Sequence, residues 1–211
     1  MSKTGKDQKR QVVAEFRRSE ILSAATKVFG SKGFEGTRMD DIAAEADLAK
    51  GTVYVYFQSK DEIYEAVVEQ VVAEILALTE QQVALATDFA GRLRAYIAVR
   101  LSYWREKQSL YRVMSSLNRE VQNRKLILKC QRQLVDPLTA MFCDAAERGE
   151  IPKQDFEAAA LALMDMIRGL QERRMIHREH SPEEEVRNLT GFTLRALGYE
   201  RAPGEKESSN A

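Results

Sequence analysis

With 211 residues, 44% of them hydrophobic and 30% charged, the chain holds enough apolar material for one large core or two smaller ones. Its 32 basic and 32 acidic residues cancel, which excludes a uniformly basic nucleic-acid coat and makes the placement of charge matter more than its sum. Cys130 and Cys143 form no disulfide or zinc framework and read as small buried hydrophobes. No N-terminal apolar segment reads as a signal peptide and no apolar run spans a membrane, so a cytoplasmic protein is expected. Only 4 prolines and 11 glycines, mostly between periodic segments, favour an all-α chain.

The positive charge gathers at the start. Lys3, Lys6, Lys9, Arg10, Arg17 and Arg18 stand against Asp7 and Glu15, as in a protein that touches phosphates with one end. Residues 1 to about 9 read as mobile, and a helix is predicted over about 11–32 with Ile21, Ala25, Val28 and Phe29 on its inner side. Gly33 is a left-handed stop, with Phe34 closing over it. Thr37 can then cap a short helix, with Asp40 at the third position of a capping box and Ile42, Ala43 and Ala46 as its apolar side. Asp47-Leu48 supplies the turn, because Asp tolerates left-handed backbone.

The next run, Ala49-Lys50-Gly51-Thr52-Val53-Tyr54-Val55-Tyr56-Phe57, is the most strand-like in the chain, yet no partner strand lies nearby. Wound as a helix it divides sensibly. Val53 and Phe57, four apart, face inward, while Lys50, Gly51, Thr52, Tyr54 and Tyr56 include the outward groups. Two short helices joined by a tight turn make a helix-turn-helix, whose second helix enters the major groove of DNA. In that role Lys50 can donate to guanine O6 and N7, Gly51 permits close approach, and the Tyr54 ring can lie on a thymine methyl. Thr37, Arg38 and Lys60 stand at helix starts suited to phosphate, and Arg18 lies near the first helix. Tyr56 can equally pack against that helix.

Ser59-Lys60-Asp61-Glu62 is a second capping box, opening a long helix to about residue 85 with Ile63, Val67, Val71, Ile75 and Leu78 at helical spacing. Further helices carry Leu93, Tyr96, Ile97, Leu101 and Trp104, then Leu110, Val113, Met114 and Leu117. A long segment over about 123–148 contains Pro137, so a kink or break near Val135 and Asp136 is expected. Residues 158–170 are apolar nearly all round, needing cover on two sides, one of which a second copy could supply. There Asp165 and Arg168 are either an intrahelical ion pair or a polar anchor for a ligand or dimer contact. Ser181-Pro182-Glu183-Glu184 combines a capping box with proline at the first helical position, Gly198 stops that helix, and the tail reads as disordered. His177 and His180 lack the converging partners of a metal site, and no P-loop, dinucleotide or nucleophile-elbow motif is present. Neither a metal nor a cofactor is expected, and neither is an enzyme.

Residues 21–64, with Phe29, Gly33-Phe34, Thr37, Asp41-Ile42-Ala43, Lys50-Gly51-Thr52-Val53-Tyr54, Tyr56-Phe57 and Ser59-Lys60, resemble the DNA-binding domain of TetR-family transcriptional regulators. Asp47 replaces the family's common turn glycine, and Ala49 the serine often found before the recognition helix. The resemblance implies a helix-turn-helix domain over 1–58, a helical regulatory and dimerisation domain over 59–198 and a tail over 199–211. It implies base contacts from Lys50, Gly51 and Tyr54, and phosphate contacts from Thr52 and Tyr56. It further implies a homodimer built from the last two helices, a palindromic double-stranded operator, and repression relieved by a small molecule. Activation, or regulation without a ligand, is the alternative; a helical enzyme or carrier is a remote one. Tyr96, Trp104, Met114, Leu134, Met141, Phe142, Met164 and Arg168 are the candidate lining of a pocket for a hydrophobic or aromatic compound.

Overall fold

The computed structural model describes residues 3–108, 111, 124–174 and 181–199. These residues form α1 (Lys3–Lys32), α2 (Met39–Glu45), α3 (Lys50–Tyr56), α4 (Lys60–Ala84), α5 (Phe89–Glu106), α6 (Arg124–Glu147), α7 (Phe156–Arg174) and α8 (Pro182–Ala196), with no strand among them. Among the described residues no helix is long and apolar enough to cross a membrane. Met114, His177, His180 and the tail beyond Tyr199 lie outside the described residues.

The chain forms two compact units, Met1–Glu74 with Lys107–Cys130, and Ile75–Glu106 with Gln131–Ala211. The first therefore takes in the first half of α4 as well as the helix-turn-helix. Its core is Ile21, Ala25, Phe29, Ile42, Val53, Phe57, Ile63 and Val68, each no more than 2% exposed. Phe29, Phe34 and Tyr64 meet as an aromatic cluster, with ring centroids 4.8–5.7 Å apart. Helix α1 begins earlier than its apolar pattern predicts, at Lys3 rather than near residue 11. Lys, Gln and Arg are good helix formers, so polarity alone does not end it. Its early turns leave Val12, Val13 and Phe16 exposed, and apolar burial starts at Ile21.

The second unit packs Phe89, Leu93, Tyr96 and Ile97 of α5 with Leu138 and Phe142 of α6, Leu163 and Ile167 of α7, and Leu189 of α8. Helix α6 runs through Pro137 without the break that its sequence suggested. Burial of Val135, Leu138 and Phe142 on either side of the proline offsets the missing backbone bond. The Ser181–Glu184 capping box forms in both directions, each bond at 3.1 Å, with Pro182 in the first turn. The left-handed stops at Gly33 (φ 73°) and Gly198 (φ 69°) occur where the sequence places them. At Gly198 a Cβ would also lie 2.9 Å from Cγ of Pro152. Gly198→Ala therefore combines backbone strain with a clash, and we expect a loss of about 1–3 kcal/mol in denaturant unfolding. An unchanged midpoint would contradict it.

Candidate nucleic-acid interface

The interface is built from α2, its turn and α3. Arg38, not Thr37, is the N-cap of α2, with extended backbone (φ −115°, ψ 156°), and its N–H donates to Asp41 at 2.8 Å. The expected cap is thus displaced by one residue. Thr37 is turned inward, 2% exposed, and its hydroxyl donates to the Gly33 carbonyl at 2.6 Å. This removes it from the predicted phosphate contacts. The left-handed turn at Gly33 presents a carbonyl that captures the hydroxyl before α2 can use it. Asp47 is left-handed (φ 53°), and the Leu48 N–H closes onto Ala43 at 2.9 Å. Helix α3 then starts at Ala49 without a side-chain cap.

Val53 and Phe57 are fully buried, which aims the rest of α3 outward. Lys50, Gly51 and Tyr54 are exposed, and Thr52 and Tyr56 half-buried. Val55 is 75% exposed and completes the outer stripe, a position that sequence reasoning passed over. Its signal was available, since Val55 lies one turn from Gly51 as Tyr54 does from Lys50.

The cations around this stripe are already engaged. Lys50 pairs with Asp40 at 2.7 Å, and that hydrogen bond holds its ammonium above the ordinary lysine pKa. The Arg18 guanidinium lies 4.2 Å from the centre of the Phe57 ring, bracing α3 from α1. Lys60 donates to the Phe34 carbonyl at 3.0 Å and sits 4.3 Å over that ring, so it holds the α1–α2 loop. Lys32 bonds Asp41 at 2.6 Å, the main reason that this carboxyl lies below the usual aspartate range. Arg38 is exposed.

In the second unit the candidate ligand residues separate. Tyr96 Oη reaches Met164 Sδ at 3.1 Å and the Leu134 carbonyl at 3.4 Å, bringing those three together. Phe142 instead packs in the core against Phe89 and Phe156, Met141 is partly buried on that core, and Trp104 stands edge-on to Tyr103. Arg168 pairs with Asp165 at 2.9 Å on the surface, both about half exposed or more, so it is no anchor inside the body. Helix α7 buries Ala160, Leu163, Ile167 and Gln171, and Arg168 falls outside that stripe.

The arginine that does lie inside was missed. Arg100 on α5 is 2% exposed. Its Nη1 donates to Thr79 Oγ1 at 2.8 Å, and its guanidinium carbon lies 4.1 Å from the centre of the Tyr96 ring. Nε and Nη2 are buried without a hydrogen-bond partner among the described residues. Burial pushes the guanidinium below its ordinary pKa, opposed only by Tyr96, and burial likewise raises the Tyr96 phenol. Burying a charge costs several kcal/mol; one charge-assisted bond returns about 1.5–3 kcal/mol and a desolvated cation–π contact about 2 kcal/mol. The burial is thus only partly offset. Arg174, by contrast, forms an ion pair with Glu185.

A model of the bacterial regulatory proteins of the tetR family matches residues 21–67, which contain α2, its turn and α3. Residues 21–67 therefore match the DNA-binding domain of the TetR family. The uncharacterized HTH-type transcriptional regulator YhgD of Bacillus subtilis is 24% identical over 153 residues, covering 71% of this chain and 80% of that one. The HTH-type transcriptional activator FasR of Mycolicibacterium smegmatis is 33% identical over 98 residues, covering 46% and 45%. The structure of AibR in complex with isovaleryl coenzyme A and operator DNA superposes with a TM-score of 0.70 at 22% identity, covering 83% and 97%. The chain is accordingly an HTH-type transcriptional regulator with a TetR-type DNA-binding domain and, among the described residues, only helices.

Thr37→Val leaves the Gly33 carbonyl without its hydroxyl donor. We expect a loss of about 1–2 kcal/mol in unfolding free energy, with the salt dependence of DNA binding unchanged. A shallower salt slope would return Thr37 to the phosphate contacts.

Proposed function

We propose that the chain is a homodimeric repressor, acting in the cytoplasm by binding alone, that reads a near-palindromic operator and is released by a small molecule held in its helical body. The observation that carries this is the outer stripe of α3, with Lys50, Gly51, Tyr54 and Val55 exposed over a buried Val53 and Phe57. Lys50, Gly51 and Tyr54 read base edges; Thr52, Tyr56, Arg38, Arg18 and Lys60 lie against phosphates. The head spans 1–58 and the regulatory body 59–198. A protein of the same fold whose structure holds isovaleryl coenzyme A and operator DNA supports one chain serving both ligands.

The dimer is formed by α7 and α8, where Phe192 is 52% exposed on the outer side of α8. Two copies of α3 then enter successive major grooves about 34–36 Å apart. Selection of bound sequences from random duplex DNA tests the reading. Two inverted half-sites one helical turn, or a multiple of one turn, apart support it, and a single asymmetric site overturns the dimer. Activation is the second reading, favoured by FasR being named an activator; an operator upstream of the promoter rather than over it would support it.

Tyr54→Ala should cost about 1–3 kcal/mol of operator affinity if the ring reads a base. Asp40→Asn should do the reverse, because Lys50 no longer has to leave a carboxylate. The pair is exposed and weak, so binding should tighten by no more than about fivefold. Both are read in one fluorescence-anisotropy titration, and equal curves for wild type and variants would refute these contacts. Phe192→Glu should shift sedimentation toward monomer and weaken operator binding with it; an intact dimer would remove Phe192 from the interface.

A further inference from the structure

Lys27, Lys32 and Lys50 of the head and Arg168 of the body stand in ion pairs, and Arg100 departs from that pattern. The two nitrogens that it leaves unsatisfied, Nε and Nη2, are not a random pair. They share one edge of the guanidinium, the edge that grips a carboxylate through two parallel N–H bonds. Around it stand Thr79, Tyr96 and Gln171. Thr79 is already spent, donating to the Ile75 carbonyl at 2.6 Å while accepting from Nη1. Gln171 turns its amide to the carbonyls of Arg100 and Leu101, at 3.3 and 3.4 Å, and so fixes the backbone rather than the charge. The Tyr96 hydroxyl is directed at Met164 and Leu134. No carboxylate is among the groups acting on Arg100.

We propose that Arg100 is the internal anchor for an anionic effector, a monocarboxylate with an apolar body, gripped by Nε and Nη2 and lying against Tyr96 and Met164. The class follows from the surroundings. One buried cation neutralises one negative charge, so a phosphate carrying two would leave the site again uncompensated. A flat carboxylate matches the two-donor edge, and the rest of the molecule meets the apolar core made by Tyr96, Ile97, Leu101 and Ile167. This deepens the ligand-released reading and rests on it.

The test uses the full-length dimer and two matched pairs of probes: octanoate against 1-octanol, and phenylacetate against 2-phenylethanol. Trp104, the only tryptophan, lies one helical turn beyond Arg100 and reports binding by its fluorescence, alongside the thermal midpoint. At least one carboxylate should raise the midpoint and change the Trp104 signal, while its alcohol does neither. Arg100→Met should weaken that carboxylate by about tenfold to a hundredfold without lowering the ligand-free midpoint, because the uncompensated charge goes with the side chain. Arg100→Lys keeps the charge but loses the two-donor edge, and should weaken it by about tenfold; should the Met variant fail to fold, this variant decides. No response to either carboxylate, an equal response to the alcohol, or wild-type affinity in the variant that folds would overturn the anchor. Operator binding, measured in parallel, separates the two readings. A carboxylate that binds through Arg100 while the operator stays bound removes release and keeps the anchor. Release by an alcohol as readily as by its acid removes the anchor and keeps release.

Discussion

Two buried side chains decide the conformation on which the reading head depends. In α3, Val, Thr and Tyr each lose roughly 0.5–0.7 kcal/mol relative to alanine in a helix, and Gly51 about 1 kcal/mol, so the segment opposes its own conformation by about 3.5–4.5 kcal/mol. Burying a valine and a phenylalanine contributes about 1.5–3 kcal/mol each. With Val53 and Phe57 both fully buried, packing offsets the local preference with little to spare. Arg18 stacked on Phe57 and Lys60 bound to the Phe34 carbonyl brace the frame that receives those two residues. Cations that look like free phosphate ligands in the sequence are therefore also part of what holds the recognition helix in place.

The same arrangement explains how a chain of zero formal net charge can approach DNA. Lys27 with Glu45, Lys32 with Asp41 and Lys50 with Asp40 are pairs across the helix-turn-helix, all substantially exposed. Such solvent-screened pairs are weak, and hold a lysine less firmly than a phosphate or a guanine edge does. They position the side chains in the free protein and yield when a stronger acceptor arrives. Asp41 serves twice, since its carboxylate also takes the N–H of Arg38, the N-cap of α2.

What could be read from the sequence was what is settled within a few residues. The left-handed turns at Gly33, Asp47 and Gly198, the Ser181 box and the inward pair Val53 and Phe57 all follow from local chemistry. The failures lie where a distant group intervened. Thr37 has the composition of a cap, but the carbonyl of Gly33 claimed its hydroxyl and the cap moved to Arg38. Pro137 leaves a kink or a break open in the sequence, and the packing of its neighbours carried α6 through without the break. Helix α1 outran its apolar stripe because strong helix formers continue a helix that needs no core on that turn.

The two arginines of the body show why charge inside a helix is read wrongly from sequence. Arg168 stands in the most apolar stretch of the chain, where the sequence leaves an intrahelical ion pair or a polar anchor open and the structure shows the pair with Asp165, while Arg100 stands among Val99, Leu101 and Tyr103 and carries no such signal. A residue's direction is fixed by the phase of its own helix. The buried positions of α7 are 160, 163, 167 and 171, and 168 is out of step with them; those of α5 include 96, 97, 100, 101 and 103. A ligand shifts an equilibrium only by its differential affinity for two states. A buried cation lacking a counter-charge supplies such a difference, because the state that admits an anion beside it gains the attraction that the empty state forgoes. Arg174, already paired with Glu185, has no such gain to offer. The proposed responsiveness then rests on Arg100, the one of these two charges that no counter-charge among the described residues compensates.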